Sequence, residues 1–121
     1  MNEDKNQDLK TRTRKFALRI IRLYKALPNS VEAQIIGKQV LRNGTSVGAQ
    51  YREGTRARST AEFVSKIEST CQELEETMYW FELLIEGEIF TQEKLKDLQN
   101  EADELMAIFV SSVKKAKSNK G

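Results

Sequence analysis

Histidine is absent from the 121 residues of this chain. That absence removes the commonest general base, every Ser–His or Cys–His nucleophilic pair, and any zinc site built with imidazole. Cysteine occurs once, as Cys71, so no internal disulfide can form, which fits a reducing, cytoplasmic setting. A lone Cys at an apolar helical position reads as a small buried hydrophobe rather than a nucleophile. Proline also occurs once, as Pro28, and glycine six times. Scarce turn formers imply long elements and an all-α protein. No apolar run approaches the roughly 20 residues that span a bilayer, so no membrane segment is expected. Met1 to Arg14 is polar and lacks the apolar core of a secretory signal.

What the chain has is charge, unevenly placed. Its formal net charge is +2, with 31% charged residues. Residues 1–60 hold 13 Lys and Arg against 5 Asp and Glu, a balance of +8. Residues 61–121 hold 7 against 13, a balance of −6, and within 61–104 the count is 3 against 13, or −10. Lys114, Lys115, Lys117 and Lys120 make the last stretch basic again. Two explanations compete. A basic helix pair and an acidic helix pair attract within one bundle or across an oligomer interface, or a basic face recruits a polyanion.

Hydrophobic periodicity predicts four helices in one domain, residues 1–121. The first covers about 8–27, with Leu9, Phe16, Ile20, Leu23 or Tyr24, and Leu27 on one face. Arg12, Arg14, Lys15, Arg19, Arg22 and Lys25 cover its other faces. Leu27-Pro28 ends it, because the residue before proline leaves the helical region. Asn29 and Glu32 suggest a capping box for the second helix, about 31–56, with Ile36, Val40, Val47 and Tyr51 in line. Gly37, Leu41, Gly44 and Gly48 fall on one stripe of that helix, where missing side chains let another backbone come close. Gly44-Thr45-Ser46 is a place where it could kink or split in two.

The third helix, about 59–86, opens with the capping box Ser59-Thr60-Ala61-Glu62. Phe63, Ile67, Thr70, Leu74, Met78, Phe81 and Ile85 step along it as a heptad seam, widened by Cys71, Trp80 and Leu84. Gly87 stops it. Thr91 caps the fourth, about 91–115, with Leu95, Leu98, Ala102, Leu105, Phe109 and Ser112 or Val113 inward, followed by a frayed tail at 116–121. Short loops between long helices predict an antiparallel up-down-up-down four-helix bundle.

Chemical motifs fail on inspection. A di-iron bundle needs Glu-x-x-His pairs, which a chain without His cannot supply. Glu68, Glu73, Glu75, Glu76 and Glu82 mostly avoid the seam and read as a solvated face. A phosphate loop needs Gly, four residues, then Gly-Lys-Ser/Thr after a strand. Here Lys38 is followed by Gln39, and position 32 is Glu. Gly44 and Gly48 therefore read as packing glycines. No catalytic residue, metal ligand, cofactor or small-molecule substrate is expected.

A basic run remains: Lys38, Arg42, Arg52, Arg56 and Arg58. Tyr51 and Trp80 could stack on bases beside it. Against this, Tyr51 and Trp80 can be partly buried with their polar tips satisfied, and Arg52 and Arg56 can pair with acids of the third helix. No ribonucleoprotein aromatic motif or zinc finger accompanies the run.

Gly44-Thr-Ser-Val-Gly-Ala-Gln-Tyr-Arg-Glu53, Arg56-Ala57, Ser59 to Phe63, and Glu76-Thr-Met-Tyr-Trp-Phe-Glu-Leu-Leu84 resemble the signature of a bacterial family. It is the four-helix-bundle family named for the 23S ribosomal RNA intervening-sequence protein, also labelled S23. The motif residues are Gly44, Ser46, Gly48, Tyr51, Glu53, Glu76, Tyr79 and Trp80. Gln50 stands where the family usually has Asn, Gly54 where it has Ala, and Phe81 where it has Leu; Gly54 would let the second helix stop early. The resemblance implies a homo-oligomer, a ring-like pentamer, and a gene sometimes found inside ribosomal RNA intervening sequences. A distant branch serves as the accessory protein of a reverse transcriptase. The resemblance carries over no catalytic residue. The expectation is thus a non-enzymatic, cytoplasmic bundle that binds RNA or DNA through its basic helices, or else a protein-interaction scaffold or accessory subunit.

Overall fold

The computed structural model describes residues 3–119. Among these residues four α-helices and no strand occur: α1 Glu3–Ala26, α2 Val31–Thr55, α3 Thr60–Glu86 and α4 Gln92–Ser118. None of these helices is long and apolar enough to cross a membrane. The starts of α3 and α4 follow the predicted chemistry: Ser59 Oγ accepts from the Glu62 N–H at 3.1 Å, and Thr91 Oγ1 from the Lys94 N–H at 3.4 Å.

Other boundaries differ from expectation. The cap of α2 is Ser30, not Asn29: the Ser30 carbonyl accepts the first helical bond, from Gln34, and its hydroxyl accepts from the Ala33 N–H. The nearby Ser30 hydroxyl, rather than a box with Asn29, favours the charged Glu32 carboxylate and lowers its pKa. The start of α1 lies five residues before the expected 8, at Glu3, anchored where Asn6 accepts a hydrogen bond from Tyr51. The end of α4 runs past 115 to Ser118, its basic last turn favoured by the helix dipole and Lys117 paired with Glu68 at 3.2 Å. The expected tail is therefore helical through 118, while residues 120 and 121 lie outside the described residues.

Gly44-Thr45-Ser46 does not split the helix; α2 is continuous from Val31 to Thr55. Thr45 and Ser46 each donate to the carbonyl four residues back, Leu41 and Arg42, at 2.7 Å. Gly54 does not stop the helix early either. It is buried, and a Cβ there would lie 2.9 Å from Ile67. At the end of α3 it is Glu88, with φ 58°, rather than Gly87 that adopts the left-handed conformation.

Each helix packs on the next in chain order, and α4 returns to meet α1 loosely. The glycine stripe does what its spacing predicts. Positions Gly48, Gly44 and Gly37 lie against Thr13, Ile20, and Tyr24 with Leu27. Numbers fall along α2 as they rise along α1, and the same holds where Glu53 meets Lys66 and Asn43 meets Glu76. Along the α1–α4 seam, Arg12 holds Glu101 at 2.7 Å and Glu104 at 3.2 Å. These acids raise the guanidinium pKa, the Glu101 hydrogen bond most. A groove of about 610 Å³ opens beyond this strap, between Leu9, Phe63 and Ile108.

The core follows the predicted faces with one drift. All of Leu95, Leu98, Ala102, Leu105, Phe109 and Val113 are buried on α4. On α3 the seam runs Ile67, Thr70, Leu74, Thr77, Phe81 and Leu84, so Thr77 and Leu84 replace Met78 and Ile85. Thr77 tolerates burial because its hydroxyl donates to the Glu73 carbonyl at 2.7 Å; Thr70 and Thr13 are satisfied the same way.

Candidate nucleic-acid interface

Burial of Val40, Asn43, Val47, Tyr51 and Gly54 fixes which side of α2 faces water. At about 100° per residue, Lys38, Arg42, Arg52 and Arg56 then fall within an outward arc of about 80° that runs about 27 Å along the helix. All four are exposed, as is Arg58 in the turn to α3. None of the five is in an ion pair among the described residues. The pairing of Arg52 and Arg56 with acids of α3 does not occur. The α2–α3 ion pair has the opposite polarity: Glu53 of the basic helix takes Lys66 of the acidic one at 2.7 Å, which raises the Lys66 pKa. That pair removes the one acid of residues 37–58 from competition with the arginines.

The aromatic half of the expected site is not there. Tyr51 is fully buried, its ring 5.3 Å from Phe109 and its hydroxyl donating to Asn6 Oδ1 at 2.9 Å. Burial, and then the charge of Asp8, push its pKa up to about 12. Trp80 Nε1 donates to Asn43 Oδ1 at 2.8 Å. Asn43 is itself buried, and its amide nitrogen donates to Glu73 at 2.7 Å and Glu76 at 2.9 Å. One amide thus joins Trp80 and two carboxylates of α3 to the middle of α2. Tyr79 is half-exposed but stands on α3, tilted against Trp80 at 5.1 Å.

The model of the 23S rRNA-intervening sequence protein family matches residues 5–111. The chain belongs to that family. It is also similar to a crystal structure, at 1.70 Å resolution, of a protein with unknown function from the S23 ribosomal protein family of Bacteroides thetaiotaomicron. The two share 40% identity and superpose with a TM-score of 0.82, covering 88% of this chain and 98% of that one. No curated protein matches the chain.

In this family member most of the signature residues are joints of the bundle. Gly44 and Gly48 seat α1, Ser46 bonds its own helix, Tyr51 closes on α1 and α4, and Glu53 reaches Lys66. Asn43, the hub for Glu76 and Trp80, was not singled out from sequence. Its signal was register: it lies three residues after Val40 and four before Val47, on the buried line. The cations that the sequence places on the outer faces of α1 were not among the candidate site residues. Arg14, Lys15, Arg22 and Lys25 of α1 are exposed, and the run from Leu9 to Leu27 contains no acid. Spacings of four, four and three through Arg14, Leu18, Arg22 and Lys25 mark that face.

Proposed function

We propose that this family member is a non-enzymatic, cytosolic, self-associating bundle that binds nucleic acid, RNA foremost, through the basic surface of α2. Lys38, Arg42, Arg52, Arg56 and Arg58 contact phosphates, which position the partner without reading sequence. The observation that carries this reading is five exposed cations with no acidic partner among the described residues. The falling-and-rising register of neighbouring helices supports an antiparallel up-down-up-down order. Self-association, as a pentamer in the family resemblance, would repeat the surface and multiply weak contacts by avidity. A filter-binding titration of structured RNA across salt tests it. Five phosphate contacts give a slope of log affinity on log salt of about −4. An absent or salt-insensitive signal sinks the proposal.

A second reading draws on charge complementarity. The basic α1–α2 half of one copy can dock the acidic 61–104 region of another, or of a protein such as a polymerase that the bundle serves as accessory subunit. Light scattering on Arg52→Glu/Arg56→Glu separates the two. Dissociation of a helical oligomer favours the scaffold; an intact oligomer that no longer holds RNA favours nucleic-acid binding.

A further inference from the structure

We infer that the phosphate backbone of a duplex, rather than a single strand, is what the basic surface accepts; this rests on the nucleic-acid reading above. The surface is wider than α2. The glycine contacts set α1 against α2 in a known register, with Gly48 at Thr13, Gly44 at Ile20 and Gly37 at Tyr24 and Leu27. That register brings Lys25 level with Lys38, Arg22 level with Arg42 to within a turn, and Arg14 within a turn of Arg52. The exposed cations of α1 thus extend the charge of α2 over the same length of the bundle, with Arg22 at the edge of a cleft toward Lys94 of α4.

Nothing on this face stacks on a base. Tyr51 is buried, Trp80 is tied to Asn43, and the Tyr24 hydroxyl is spent on Gln34 at 2.9 Å. The large exposed apolar residues of α1 and α2 are Leu18, Val31 and Ile35, none of them aromatic. Single-strand binders combine a cationic groove with aromatic platforms worth about 1–3 kcal/mol per base. The cleft that Arg19, Arg22 and Lys94 do line holds one aromatic, Phe90, and Lys94 already sits over its ring at 5.5 Å, while a broad cationic surface suits the regular phosphate rows of a duplex, which proteins recognise by shape and backbone. The acidic 61–104 region also keeps a flexible strand from wrapping beyond α1 and α2.

Fluorescence anisotropy with three probes tests this: an RNA duplex of about 16 base pairs, a DNA duplex of the same length, and an unstructured RNA strand. The duplexes are expected to bind at least about tenfold more tightly than the strand at equal salt. Arg14→Glu/Arg22→Glu/Lys25→Glu, which leaves every α2 cation in place, is expected to weaken duplex binding and flatten its salt slope by about 3. The neutral Arg14→Gln/Arg22→Gln/Lys25→Gln variant keeps the test if reversal disturbs folding, as read by circular dichroism. Equal binding of both duplexes, or preference for the RNA duplex, supports the inference. A strand bound as tightly as the duplexes overturns it alone, as does an unchanged slope in both triple variants. No binding of any probe overturns the nucleic-acid reading itself.

Discussion

Gly44→Ala is the sharpest test of how α1 and α2 are joined. A Cβ built on Gly44 falls 2.7 Å from Ile20 Cγ1, 3.0 Å from Cγ2 and 3.1 Å from Cδ1. Comfortable carbon contacts need about 3.5–4.0 Å. Ile20 is buried and branches at Cβ, so rotating one branch away drives the other inward. The helices must separate instead, an overpacking cost of about 1–3 kcal/mol. Against it stands the better helix propensity of Ala, about 1 kcal/mol over Gly. The net expectation is a loss of about 1–2 kcal/mol, or a urea midpoint lower by about 0.5–1 M, compared at one protein concentration. Gly48→Ala is expected to cost less, since its Cβ meets Thr13 Oγ1 at 3.1 Å and Cβ at 3.3 Å. Ile20→Ala alone should cost about 2–5 kcal/mol, and less by about 1–2 kcal/mol in the Gly44→Ala background. A midpoint that rises in Gly44→Ala, or a double-mutant cycle with no coupling, refutes the close-approach argument.

Asn43→Asp places a third carboxylate against Glu73 and Glu76. A loss of about 2–4 kcal/mol at neutral pH is expected, partly recovered in acid as the introduced carboxyl protonates; a pH-independent loss in urea titrations contradicts the hub. Tyr51 has a folded pKa of about 12 against an ordinary 10.0, so the folded state holds its proton more tightly. Stability from this group is full below pH 10 and falls between about 10 and 12, by up to about 2–3 kcal/mol. Tyr51→Phe should lack that fall, and an alkaline melting profile identical to wild type counts against it. Cys71 is half-buried, and burial, then Glu68, raises its thiol pKa. Its reaction with a thiol reagent at neutral pH should be slower in the folded protein than in denaturant by about tenfold or more. Equal rates contradict the packing.

Legibility was greatest where local chemistry repeats. The α4 core followed directly from heptad spacing, and the Ser59 and Thr91 caps from their own side chains. Glycine spacing on α2 announced a close approach. The signature residues were legible as a pattern but not as a mechanism, because Trp80 looks the same in sequence whether its ring faces a base or its indole N–H meets Asn43. Arg52 and Arg56 were equally ambiguous: charge sums give attraction between halves, but not which atoms reach each other.

Four helices, their inward faces and the charge split between 1–60 and 61–104 are properties of the sequence by itself, since periodicity, capping and ionisation act within a few residues. Only the tertiary structure decided that Gly37, Gly44 and Gly48 seat α1, that Asn43 joins α2 to α3, and that Lys38, Arg42, Arg52 and Arg56 stay exposed and unpaired with acids of α3. Those outcomes depend on register between segments far apart in the chain. Sterics at the glycines set that register for α1 against α2, and a saturated buried amide holds it for α2 against α3.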